Sequence, residues 1–421
     1  MKKLIASASL VAVGAAGLQA ANAPGLTRTE TSKPWSVSAS LRGFYDDNYL
    51  AAPTGNDNDQ DSYGFEVAPM AAVNFPRQQS YLGASYRYSM KYYEDRDDDE
   101  IDQTHEFKLK ADHRFSERYQ VYLNEVFIFT QEPELADPSL GSPNRLRTDA
   151  EAYRNNVKIG MVASLNERVG LDGGYYNGWY DYDDDGAGSR SAQLDRFEHV
   201  LHLDGLYELR EDVDAILGYQ FGAITYEGDE DLFDNDPSPD PVKSDIRDNT
   251  SHYLYVGTDA DLSSTLVVSG RLGGQYTDFD DLGEDSLAPY ANTTLTYTYA
   301  PGSYLQFGVT HRRNATDQVG IPGEDNVVAD QQSTSVFGSA NHKITAKLTG
   351  NLYVQGQYSE FQEGFYDGDS DKFLLIGANL EYEINQFLAA EAGYNFDRLN
   401  SDISDRSFTR NRVFLGMRAS Y

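Results

Sequence analysis

Apolar and polar residues alternate with a period of two along most of this chain. Ala291, Thr293, Leu295, Tyr297 and Tyr299 share one face, and Asn292, Thr294, Thr296 and Thr298 share the other. Residues 373–384 repeat the pattern, with Leu374, Ile376, Ala378, Leu380, Tyr382 and Ile384 on one side. So do residues 388–396, with Leu388, Ala390, Ala392, Tyr394 and Phe396. A period of two predicts strands with one apolar face. The alternation first appears at Pro34 and runs to Tyr421.

The interruptions come in two kinds that take turns. Short ones include Pro76–Gln79, Phe115–Arg118, Asn166–Arg168, Ala300–Ser303 and Lys343–Ala346. Long, acidic ones include Asp46–Gln60, Gln131–Asp149, Asp181–Leu194, Gly228–Asn249, Ala315–Asp330 and Gln362–Ser370. This predicts an up-and-down antiparallel meander with tight turns at one end and long loops at the other. Roughly 18 strands of about ten or more residues fit a transmembrane β-barrel, because tilted strands of that length cross a hydrocarbon layer and bacterial barrels close with even counts. Closure also removes the edges that an open meander would expose.

Composition narrows the function classes. The chain has 421 residues, 67 acidic against 34 basic, for a net charge of −33. A surface that acidic does not suit phosphate backbones, so nucleic acid is not an expected partner. With no cysteine, disulfide scaffolds and thiolate metal sites are excluded. A mean hydropathy of −0.58 does not suit helical membrane spans. The aromatic fraction of 13% is too high for a disordered chain.

Residues 1–21 have a basic start at Lys2 and Lys3, an apolar run from Leu4 to Leu18 and then small residues, which predicts a secretory signal peptide. Residues 22–33 would form a short periplasmic segment and 34–421 a single barrel. The chain ends on a strand in which Val413, Leu415, Met417, Ala419 and Tyr421 share a face. This ending resembles the C-terminal insertion signal of Gram-negative outer-membrane proteins, with Tyr421 as its aromatic residue. Together with the leader and the meander, the mature chain resembles an outer-membrane β-barrel of the porin class, similar to the putative β-barrel porins. The resemblance implies an outer-membrane location and contact with lipid, lipopolysaccharide and the barrel-assembly machinery. Tyr45, Tyr49, Tyr63, Tyr92, Tyr93, Tyr180, Tyr182 and Phe396 lie beside long loops, and Tyr81, Phe115, Tyr119, Tyr304 and Phe387 beside short turns. Two aromatic girdles are expected from them.

A barrel of this size without a plug domain encloses water unless loops fold in. The expected function is therefore a non-enzymatic channel for passive diffusion of small hydrophilic solutes or ions. Alternation aims Arg42, Arg87, Lys91, Lys108, Lys110, Arg114, Arg410, Arg412 and Arg418 into the lumen, on strands that adjoin once the barrel closes. It aims Asp172, Glu198, Asp204, Glu208, Asp214, Asp259 and Asp261 inward farther around the circumference. Two walls of opposite sign would set up a transverse field. Local pairing, with Glu106, Asp112, Glu381 and Glu391 close to the basic wall, is the competing expectation. Tyr122, Tyr176, Tyr180, Tyr253, Tyr255, Tyr304 and Tyr353 are further inward candidates, and an aromatic row would suit sugars. The Gln131–Asp149 and Gly228–Asn249 loops, each with three prolines, are candidates to fold inward. Glu125 falls on the lipid side unless a bulge shifts the register.

Asp181, Asp183, Asp185 and Gly186 match the opening of a calcium loop, but position twelve is Ala192 rather than glutamate. Weak calcium or magnesium association in acidic loops is the most this pattern supports, and no other cofactor is implied. The seven histidines give no catalytic motif. Three functions stay in play: an open channel, a polysaccharide export conduit, and a structural barrel closed by its loops. A monomer and a homo-oligomer fit equally.

Overall fold

The computed structural model describes residues 33–53, 60–96, 99–131, 151–228, 230–234 and 236–421. The expected signal peptide, the rest of the segment before Lys33 and most of the 131–149 loop lie outside these residues. Strands β1 (Trp35–Asp46), β2 (Ser62–Pro76), β3 (Ser80–Tyr93), β4 (Ile101–Arg114), β5 (Tyr119–Thr130), β6 (Ala152–Ser164), β7 (Val169–Tyr182), β8 (Arg196–Arg210) and β9 (Val213–Tyr226) form the first half. The second half is β10 (Asn249–Ser263), β11 (Leu266–Phe279), β12 (Glu284–Ala300), β13 (Ser303–Asn314), β14 (Asp330–Lys343), β15 (Leu348–Gln362), β16 (Ser370–Asn385), β17 (Leu388–Ser401) and β18 (Phe408–Ser420).

Each strand pairs antiparallel with its sequence neighbours, and β1 pairs with β18 from Ser38↔Ser420 to Asp46↔Arg412. The 18-stranded sheet is thus a closed cylinder. Closure gives every strand two hydrogen-bonded neighbours, the condition for a sheet in hydrocarbon. The outward faces carry Val37, Leu41, Leu217, Leu254, Val256, Leu287 and Leu415, all exposed in the isolated chain. These are the apolar positions of the alternation.

The outer girdle differs in part from the sequence expectation. Tyr45, Tyr63, Tyr92 and Phe396 are on the outward face, where the Phe65 ring lies tilted against Tyr92, 5.3 Å between centres. Tyr49, Tyr93, Tyr180 and Tyr182 are buried inside. Proximity to a strand end does not decide the side; parity does, and Tyr92 and Tyr93 must face opposite ways. At the turn end, Phe115, Tyr119 and Phe387 are exposed, while Tyr81 bonds Asn74 across the interior.

No bulge relieves Glu125. It pairs with Leu109 on one side and Val157 on the other, in unbroken registers. Its carboxylate lies on the lipid-facing surface without a hydrogen bond or ion pair among the described residues.

Candidate lumen site and extracellular cap

The inward faces of β17, β18, β1, β2 and β3 form one continuous network. Arg42 donates from Nε and Nη2 to Glu391 Oε2 at 3.0 and 2.8 Å, and from Nη1 to Glu66 Oε2 at 3.2 Å. Glu66 also accepts from Arg87 at 3.1 Å and Ser89 at 2.8 Å, with Lys91 in electrostatic reach. Arg418 joins Glu391 at 2.9 Å and Glu381 at 2.6 Å. Nearer the loops, Arg410 holds both oxygens of Asp46 at 3.0 Å and Arg412 meets Asp397 at 2.7 Å. Gly416 makes room for this packing, since a Cβ there would lie 2.6 Å from Arg42 Cγ. On β4, Lys108 meets Glu106 at 2.7 Å and Arg114 bonds Gln120 at 3.3 Å. Lys110 has no ion pair among the described residues.

Of the two expectations for this wall, the contacts follow local pairing: the arginines at the seam sit among carboxylates. Enclosed cations need partners, because desolvating a charge alone is costly. Asp46, Glu66 and Asp397 are the partners that the sequence reading left out. Asp46 was legible as an inward position by parity with Arg42 on β1, and Asp397 by parity with Glu391 on β17.

The opposite wall, β7 to β13, is likewise mixed. Asp172 accepts from Tyr122 Oη at 3.3 Å and lies 3.7 Å from His202. Asp204 accepts from Tyr255 Oη at 2.6 Å, and Gly218 clears the space, since a Cβ there would lie 2.1 Å from the Tyr255 ring. Arg271 grips Asp259 with two bonds of 2.8 and 3.0 Å and lies 3.8 Å from Asp204. Glu198 accepts from Arg196 at 3.0 Å. Glu208 and Asp214 face each other in register, and Asp261 is exposed near the turn end.

A tyrosine cluster occupies the middle of this wall. Tyr290, missed in the sequence reading, lies 5.2 Å from Tyr253 and 5.5 Å from Tyr255, ring centre to ring centre. Tyr176 bonds Asn156 at 2.6 Å and Tyr353 bonds Gln355 at 2.7 Å. Arg312 of β13 is in electrostatic reach of Tyr176 on β7 as well as of Tyr253 and Tyr290. Those strands are six places apart around the cylinder, so side chains reach far across the lumen at this level.

The loops close over the other end. Loop 5 (227–248) contributes Leu232, Phe233 and Val242 to an apolar cluster with Val319 and Val327 of loop 7 (315–329); Ile246 and Leu282 pack against it. Arg406 of loop 9 (402–407) bridges Asp317 of loop 7 and Asp371 of β16, at 2.8 Å each. Burial opposes that guanidinium's charge, but the two carboxylates outweigh it and raise its pKa. Loop 1 (47–61) presses Ala51, at φ +49°, against the inward residues Tyr353, Phe373, Leu375, Leu399 and Phe408. Loop 5 was an expected inward loop; loops 1 and 7 were not singled out.

Asp181 continues β7 while Asp183 and Asp185 lie in the following loop. Among the described residues no three His, Cys, Asp or Glu side chains gather as a metal site. Alternation on the strand sends Asp181 outward, where Asp183 and Asp185 stay in electrostatic reach.

The family model described as Putative beta-barrel porin 2 matches residues 36–421. The chain belongs to that family. This porin is a β-barrel of the outer membrane, a channel for small solutes in contact with membrane lipid. No curated protein matches it. Among solved structures it is similar to a BenF-like porin from Pseudomonas fluorescens Pf-5, at 13% identity and TM-score 0.47 over 92% of this chain and 99% of that one. Pseudomonas aeruginosa OccK2 (OpdF), solved in complex with glucuronate, matches at 12% identity and TM-score 0.46 over 92% and 98%. Acinetobacter baumannii OccAB3 matches at 12% identity and TM-score 0.43 over 92% and 99%.

Proposed function

We propose that this porin passes small hydrophilic solutes and ions passively and with weak charge preference. The observation that carries this reading is the lumen lining, in which the seam arginines and the opposite Asp172, Asp204 and Asp259 each sit within a local ion pair or hydrogen bond. Paired charges wet a pore and hold its shape while cancelling much of the field a solute would feel. No catalytic constellation is part of this reading. Lipopolysaccharide, the assembly machinery and a second copy of the chain are its expected partners, and weak calcium or magnesium association belongs to the acidic loops.

Sugar-polymer export fits less well, because stacking needs open ring faces and Tyr253, Tyr255, Tyr290 and Tyr353 are buried. A barrel held shut is favoured by one observation, the apolar cluster that joins loops 5 and 7 and packs against Leu282 between β11 and β12. Liposome swelling with sugars of increasing size separates the readings. Swelling that falls off steeply with solute size supports the narrow channel; no swelling with any solute supports the closed barrel.

A further inference from the structure

Two arginines are enclosed side by side where the loops meet β7, β8 and β9. Arg196 stacks over Tyr180 at 4.0 Å and donates to Glu198 and, at 2.9 Å, to the Leu194 carbonyl. Arg247 ends a short 3-10 helix in loop 5 (Ser244–Arg247), stacks over Tyr226 at 4.2 Å and has no solvent exposure. The one hydrogen bond of its guanidinium among the described residues goes from Nη2 to the Gln193 carbonyl, in α1 (Arg190–Leu194) of loop 4 (183–195). Its Nε and Nη1 have no partner there, nor do the hydroxyls of Tyr226 and Tyr182.

These orphans cluster. The Tyr226 hydroxyl lies in electrostatic reach of both guanidinium groups, and that of Tyr182 in reach of Arg196. The nearby carboxylates are engaged elsewhere: Glu198 with Arg196, and Asp248 with the Tyr226 amide at 2.7 Å. Burial first, and Arg196 with it, push the Arg247 guanidinium below its ordinary value against the pull of Tyr226 and Asp248. A buried cation with unmade donors is the arrangement that proteins otherwise avoid.

We propose that this enclosure binds a compact monovalent anion, a halide or a small carboxylate. The anion accepts from Arg247 Nε and Nη1 and from the Tyr226 hydroxyl. Arg247 is already bound to α1, so the anion ties loop 5 to loop 4 and to the end of β9. Full burial of Arg247 restricts the ligand to one small enough to be enclosed. The proposal goes beyond the transport reading and does not depend on whether the barrel conducts.

The test uses the full chain purified in detergent. Crystals grown with gluconate as the anion are soaked in bromide and measured at the bromine edge. The expected result is an anomalous peak within hydrogen-bond distance of Arg247 Nη1; density that refines as water with no anomalous signal overturns the site. In parallel, melting is compared in potassium bromide and potassium gluconate at equal ionic strength. Wild type should melt higher in bromide, Arg247→Met should lose that difference, and Arg210→Met, at an exposed position, should keep it. An equal difference in wild type and Arg247→Met overturns the role of Arg247.

Discussion

Arg42 and Glu391 lie 349 positions apart in the sequence and meet inside the barrel at 2.8 Å, joining β1 to β17 over the face of β18. Their side chains are each 6% exposed. Glu391 also holds Arg418, so one carboxylate balances two cations at the seam. Glu391→Gln should destabilise the barrel by about 2 kcal/mol, since it removes the carboxylate shared by two enclosed cations and leaves Arg42 with Glu66 alone and Arg418 with Glu381 alone. Urea unfolding from lipid vesicles measures this. Glu106→Gln, which frees the more exposed Lys108, should cost under about 1 kcal/mol. Equal losses in the two variants would refute the seam as a stabilising feature.

Strand number, boundaries and facing were legible because one face of each strand meets hydrocarbon, and a slip of one residue would reverse every side chain. Leu374, Ile376, Ala378 and Leu380 illustrate it, reading outward in sequence and in structure. The inward direction of Arg42 and Asp204 was legible on the same ground. Glu391 was legible as a carboxylate near the basic wall, but Glu66 and Arg271 were not singled out, because they come from other strands and alternation carries no information about which inward residues meet. The cap was least legible. Leu232 and Val327 belong to irregular loops with no period, and their contact is set by how the strands bring loops 5 and 7 together.

Lys110 and Lys108 share an inward face two positions apart, yet Lys108 meets Glu106 at 2.7 Å and Lys110 meets no carboxylate among the described residues. An unpaired charge adds its full field to the pore, whereas a paired one adds a dipole. Lys110→Gln should therefore move the reversal potential toward cation selectivity more than Lys108→Gln does. Planar bilayers under a salt gradient supply the comparison, and the reverse order would contradict local pairing as the control on selectivity.

Glu125 is opposite Leu109 and Val157 on the lipid-facing surface, between Phe107 and Ile159 of the flanking strands. An ionisable group there is unfavourable, though less so than lysine or arginine. Glu125→Leu should stabilise the barrel in vesicles by about 1 kcal/mol. A loss of stability would mean that the carboxylate has a partner in the membrane, such as a second copy of the chain.

Asp195, between α1 and β8, accepts from the Tyr182 amide at 2.8 Å and from Ser191 at 2.6 Å. Burial is the largest influence and pushes its pKa up to about 7, with Asp181 and Glu227 adding repulsion. Asp248, which accepts from the Tyr226 amide, is pushed up to about 6 by burial, with Asp245 and Asp281 adding to it. Both folded values lie above the ordinary carboxylate range. The folded loops hold more protons than the unfolded chain between about pH 4 and 7, so their stability falls as pH rises through that window. Proteolysis within loops 4 and 5 should be slower at pH 5 than at pH 8, using a protease active at both, and Asp195→Asn should flatten the difference. Faster cleavage at pH 5 would reverse the sign and refute it.

Leu232 is fully buried among Phe233, Val242, Val319 and Val327. It lies in a loop outside the strands, so its packing holds the cap to itself and contributes little to closure of the cylinder. Leu232→Ser removes the apolar contacts and places a hydroxyl among hydrocarbon groups, weakening the cap by about 2 kcal/mol or more. Barrel unfolding from vesicles should be unchanged within about 0.5 kcal/mol. Single-channel current should rise or flicker between levels as loops 5 and 7 part. A variant with an intact barrel and the same steady current as wild type would show that the cap does not limit passage, and would leave the narrowing to Arg312, Tyr176 and Tyr290 in the lumen itself.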